Sequence, residues 1–131
     1  MTRNKVLIVN NDPDQLELMS ALLRQWGHLV LTAQDGGQGF DVAERECPSL
    51  IISDVLMPWI DGIELCRLIR SHPKLRWTPI ILVSAMRKDS ESVAEGMQAG
   101  ADDYLELPYQ PAHLMDKVAR LIERKHAQGG C

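Results

Sequence analysis

Leu50-Ile51-Ile52-Ser53-Asp54-Val55-Leu56-Met57-Pro58-Trp59-Ile60-Asp61-Gly62 is the stretch that decides the fold. It opens with an apolar run too short for a helix, which reads as a strand buried on both faces. The strand ends on a carboxylate, Asp54. A Pro-containing turn follows, and a helix starts at Gly62-Ile63-Glu64-Leu65. Ligands and chemistry collect at the carboxyl ends of the strands in an open α/β sheet, so Asp54 stands where a reactive group is expected.

The same alternation repeats on both sides of this stretch. Upstream, Val6-Leu7-Ile8-Val9 reads as a buried strand closed by Asn10-Asn11-Asp12. Asp12 is then a helix N-cap, Pro13 takes the first helical position, and Gln15 sits at the capping-box position. Leu16, Met19, Leu22, Leu23 and Trp26 follow at helical spacing, and Gly27 ends the helix. Leu29-Val30-Leu31-Thr32 is a second strand, and Asp35 caps a second helix that Pro48 stops. Downstream of Asp54, the third helix covers about 62–71 and ends at His72-Pro73. Ile80-Ile81-Leu82-Val83 is the fourth strand, closed by Ser84-Ala85. Asp89 or Ser90 caps a short helix that Gly100 finishes. Asp103-Tyr104-Leu105 is a last strand before Leu107-Pro108, whose peptide bond is a candidate for cis. A final helix starts near 111 and uses Leu114, Val118, Leu121 and Ile122.

Five strands alternating with five helices predict an α/β, doubly wound parallel sheet with helices on both faces. The flavodoxin-like order 2-1-3-4-5 gathers Asn10, Asn11, Asp12, Asp54, Ser84 and Leu107 into one crevice.

The chain of 131 residues fits one domain, and its 45% hydrophobic content is that of a globular protein. A net charge of −4 offers neither a basic footprint for nucleic acid nor a polybasic patch for a membrane. Neither a signal peptide nor a membrane span is expected, and the expected location is cytoplasmic. Cys47, Cys66 and Cys131 form no CxxC pair, and the four histidines lack ligand spacing, so no His/Cys metal site is expected. Residues 1–126 read as one domain and 127–131 as a flexible tail or remnant.

Residues 4–126 carry a family resemblance. Asp54-Val55-Leu56-Met57-Pro58 with Asp61-Gly62, then Ser84-Ala85, then Ala99-Gly100-Ala101-Asp102-Asp103-Tyr104-Leu105 before Pro108, resemble a response-regulator receiver domain of two-component signalling. The resemblance implies that a carboxylate takes a phosphoryl group from a phosphohistidine, with Mg2+ offsetting the charge. It assigns Asp54 to the phosphoacceptor position, Ser84 and Ala85 to the phosphate pocket, and Tyr104 to the switch aromatic. Asn11, Asp54 and the Leu56 backbone carbonyl fall on the metal positions. It implies a histidine kinase or other signalling protein as partner, and no enzymatic turnover beyond self-phosphorylation.

This sequence departs from the family pattern at three places. Asn10-Asn11 stand where an acidic pair is usual, and Leu107 stands where a Lys pairs with the phosphoryl group. Asn is a neutral ligand, whereas Mg2+ usually takes carboxylates, so weak metal binding is expected. Leu107 has no donor; a charge-assisted contact there is worth about 1.5–3 kcal/mol. These departures point to a receiver that binds partners without phosphorylation. A working receiver phosphorylated on Asp54 is the alternative, with a flavin- or nucleotide-binding flavodoxin-like protein as a distant third.

Other residues carry secondary expectations. Asn10, Asn11 or Ser84 is expected to hydrogen-bond Asp54, and Arg87 or Lys88 is a candidate replacement cation. Trp59 is expected to pack over its own loop, with a docking anchor as the alternative. Asp61-Gly62 is expected to build the turn into the third helix. Asp102 and Asp103, with Lys117 and Arg120, are candidates for salt bridges across a dimer formed by helix 4, strand 5 and helix 5; a solvated surface is the alternative.

Overall fold

The three central strands are buried on two faces because their apolar side chains alternate between two separate cores. The computed structural model describes residues 4–84 and 90–128. Its strands are β1 (Lys5–Val9), β2 (Leu29–Ala33), β3 (Leu50–Asp54), β4 (Ile80–Ser84) and β5 (Asp103–Glu106). Its helices are α1 (Pro13–Gln25), α2 (Gly36–Glu46), α3 (Gly62–Ser71), α4 (Ser90–Gln98) and α5 (Pro111–Gln128). All pairings are parallel and the order is β2-β1-β3-β4-β5, as the sequence predicts.

Leu7, Val9, Ile51, Ile80 and Leu82 point to one face, where Val42 and Ala43 of α2 and Leu65, Cys66 and Ile69 of α3 cover them. Val6, Ile8, Leu50, Ile52, Ile81 and Val83 point to the other, under α1 and α5. Residues of β3 and β4 therefore feed both cores in strict alternation, and a slip of one residue would exchange the two. β2 lies at the sheet edge, and its Leu29 is partly exposed.

The helix starts are local. Asp12, Asp35 and Asp61 are N-caps of α1, α2 and α3, accepting from the backbone N–H of Asp14, Gln38 and Glu64. The capping-box role expected of Gln15 is not realised. Its side-chain oxygen instead accepts from the Asn10 amide at 3.2 Å, because the Asp12 N–H has gone to Asn10 Oδ1 at 2.9 Å. The Leu107–Pro108 bond is cis.

Gly62 fixes how closely α3 approaches the end of β3. Its N–H donates to the Val55 carbonyl at 2.9 Å. A Cβ at this position would meet the Asp54 carbonyl oxygen well inside van der Waals contact. Backbone cannot yield as a flexible side chain can, so Gly62→Ala is expected to destabilise by about 1–3 kcal/mol. Urea unfolding of the two proteins measures this; an unchanged midpoint would show that α3 can retreat freely.

Candidate functional site

The carboxyl ends of β1, β3 and β4 converge, and each delivers one side chain by strand register. Asp54 ends β3 opposite Val83, one residue before Ser84 ends β4. Asp54 is half-buried. Burial pushes its carboxyl above the ordinary aspartate value, the backbone N–H groups of Leu56 and Val55 pull it back, and the nearby Asp12 carboxylate pushes it up again.

Asn10 follows β1 and is 5% exposed. Its amide is committed, donating to Gln15 and accepting from Asp12 N–H. The side-chain hydrogen bonds of Asn10 among the described residues go to Gln15 of α1 and to the Asp12 N–H, not to Asp54. Asn11 is exposed at the mouth of the crevice. Asp12 spends one carboxylate oxygen on the α1 cap at 3.0 Å. Leu56 is 61% exposed, with its side chain in solvent above the site. Ser84 is buried, and its carbonyl accepts from Leu107 N–H at 2.8 Å, which ties the β5–α5 loop to the site. Ala85, Arg87 and Lys88 lie outside the described residues.

Leu107 packs against the core beneath α1 and α5. It also lines a groove of about 540 Å3 with Leu18, Met19 and Leu22 of α1 and with Pro108 and Tyr109. Tyr104 packs inward against the core beneath α2 and α3. Its hydroxyl is buried without a hydrogen-bond partner among the described residues.

One expectation is corrected. Trp59 does not pack over its own loop: its φ of 64° turns the chain outward and leaves it 90% exposed. Asp102 and Asp103, the candidates for an interface between two copies, have partners within the chain. Asp102 pairs with Arg70 at 2.7 Å and with Arg124, Asp103 pairs with Lys117 at 2.9 Å, and Arg120 pairs with Asp116 at 2.6 Å. Asp61 and Gly62 build the turn into α3, as expected.

No group of three or more His, Cys, Asp or Glu side chains poised for a metal occurs among the described residues. Cys66 is a buried free thiol, and burial pushes its pKa up to about 11, so it is no nucleophile near neutral pH. No helix among the described residues is long and apolar enough to cross a membrane.

The model of the response regulator receiver domain matches residues 6–119. The chain belongs to that family. A putative response regulator from Chloroflexus aurantiacus superposes with a TM-score of 0.89 at 33% identity, over 93% of this chain and 99% of that one. The receiver domain of a Pseudomonas aeruginosa sensor histidine kinase, solved with a magnesium ion in its active-site cleft, gives 0.86 at 31% identity, over 93% and 99%. The alkaline phosphatase synthesis transcriptional regulatory protein PhoP of Bacillus subtilis is 35% identical over 92% of this chain. That alignment spans 49% of PhoP, and the chain spans about half or less of the first curated relatives it matches. The receiver is thus a signalling module of two-component systems, built on the CheY-like sheet.

The displaced proton affinity of Asp54 has a thermodynamic sign. Its native value is raised, so its contribution to stability is fully present below the unfolded-state value and is lost as pH rises through the native one. At neutral pH the ionised carboxylate is a cost. Asp54→Asn is expected to raise the Tm at pH 7, with the difference shrinking in acid. Asp12→Asn is expected to lower the Asp54 pKa, read by carboxyl 13C NMR titration. A wild-type titration at or below the ordinary value would contradict both.

Proposed function

We propose that this receiver is an interaction module whose partner recognition does not require phosphorylation of Asp54. The observation that carries this reading is Leu107. At the position where the family places a Lys, an apolar side chain packs into the α1–α5 core and lines the adjoining groove. A phosphoryl group on Asp54 would find no ammonium there, and a contact of about 1.5–3 kcal/mol is missing.

The metal side of the pocket supports the same reading. Asn11, Asp54 and the Leu56 carbonyl are the groups that would face Mg2+, and the ion would supply charge neutralisation of the phosphoryl oxygens. That donor set contains one carboxylate, and Asn10 is bound to α1. It fits Mg2+ poorly, since the ion dehydrates reluctantly without strong anionic ligands. The inward Tyr104 agrees with a switch face set without phosphate. The partner class is a histidine kinase or another signalling protein.

A second reading is a receiver still phosphorylated on Asp54 with weak Mg2+ dependence. Asp12 favours it, because that carboxylate acts on Asp54 electrostatically and keeps a second negative charge by the pocket.

Intact mass after incubation with Mg2+ and phosphoramidate separates the two. The wild-type chain is expected to gain no phosphoryl group. The triple variant Asn10→Asp/Asn11→Asp/Leu107→Lys is expected to gain one, and to lose that ability with Asp54→Asn. Wild-type phosphorylation at the rate of the triple variant would overturn the phosphorylation-independent reading.

A further inference from the structure

The amino-terminal edge of the sheet, opposite Asp54, carries a second cleft. Asp102 precedes β5 there and is the hub of a network. Its carboxylate accepts from Arg70 at 2.7 Å, from Ile80 N–H at 2.9 Å, and from Arg124. Arg70 also donates to the carbonyls of Gly100 at 2.9 Å and Thr78 at 2.6 Å. These bonds make Arg70 and Asp102 a rigid floor.

Above that floor lies a cavity of about 340 Å3, walled by Arg76, Trp77 and Arg124. A second cavity of about 320 Å3 adjoins it through Asp102 and Arg124, and Lys117 and Arg120 line it. Trp77 is 55% exposed. The Arg76 guanidinium lies 5.0 Å from its ring centroid and has no carboxylate partner among the described residues. Arg124 shares its carboxylate with Arg70. Among the described residues, the basic side chains here other than Arg76 meet the carboxylates of Asp102, Asp103 and Asp116 in a chain of net charge −4.

We propose that this basal cleft docks an acidic segment of a partner protein, with a carboxylate on Arg76 and an aromatic or apolar side chain on Trp77. Charge complementarity names the occupant. A planar guanidinium not engaged by a carboxylate is matched to a carboxylate fork, and a Trp–Arg pair in a concavity is the composition of an interface hot spot. A polyanionic nucleic acid is disfavoured, because the positive patch is two small clefts wide and the remainder of the chain repels phosphate. The site stands apart from the Asp54 pocket and does not rest on how that pocket works.

The test uses the full 15N-labelled chain and an acetylated octapeptide of Asp and Glu with one central Phe. Shifts are expected at the Trp77 indole N–H and at the backbone of residues 76–78 and 100–102, weakening as salt is raised. Arg76→Glu leaves the Asp102 pairs intact, and it is expected to weaken binding about tenfold or more at an unchanged Tm. Trp77→Ala is expected to weaken binding as well. The Asn/Gln version of the peptide is expected not to bind. Equal binding of that neutral peptide, shifts confined to another face, or no shifts at millimolar peptide would overturn the proposal. Tighter binding of a single-stranded oligonucleotide at the same residues would overturn it in favour of nucleic acid. Concentration-dependent shifts there without peptide would overturn it in favour of a second copy of the chain.

Discussion

A carboxylate held half out of water at the end of a strand buried on both faces is the constraint on which the site depends. β3 lies at the centre of the sheet, with β1 on one side and β4 on the other. Its residues Leu50, Ile51 and Ile52 are fully buried and cannot move without opening both cores. Asp54 inherits that rigidity. Gly62 closes α3 onto its carbonyl, and the Leu56 and Val55 amides face its carboxylate. The charge is thus positioned by packing and tempered by backbone dipoles, with no cation among the described residues shown to neutralise it.

The substitutions around Asp54 are physically coherent with one another. Asn10 does not simply remove a negative charge; it spends its amide on α1 through Gln15 and on the turn through the Asp12 N–H. An ionised carboxylate is acceptor-only and would not donate to the Gln15 oxygen. With the acidic set diluted, an ammonium at position 107 would have fewer partners, and burying it unpaired would be costly. Leu107 instead adds apolar contact to the α1–α5 core and leaves its backbone N–H bonded to Ser84.

The carboxyl edge displays Asn11, Asp12 and Asp54, while the amino edge collects Arg70, Arg76 and Arg124 around Asp102. The ion pairs on the α5 side close within the chain. Exposed pairs such as Arg120–Asp116 contribute little. The partly buried Arg70–Asp102 pair, with its carbonyl partners, joins α3 to the starts of β4 and β5.

The sequence by itself determined the strands, their alternation with helices, the caps at Asp12, Asp35 and Asp61, and the position of Asp54 at a strand tip. Those features are legible because they follow from runs and spacings a few residues long. Tertiary structure alone decided where the side chains of the site went. Gln15 reads as a capping-box residue until the β1–α1 turn brings Asn10 against it. Trp59 reads as a packed aromatic until a positive φ turns it into solvent. Asp102 meets Arg70 and Arg124 across separations of 32 and 22 residues, which no local pattern encodes. Backbone periodicity is written in neighbouring residues, but the partner of a polar side chain is chosen by which distant elements the packed cores bring within about 3 Å of it.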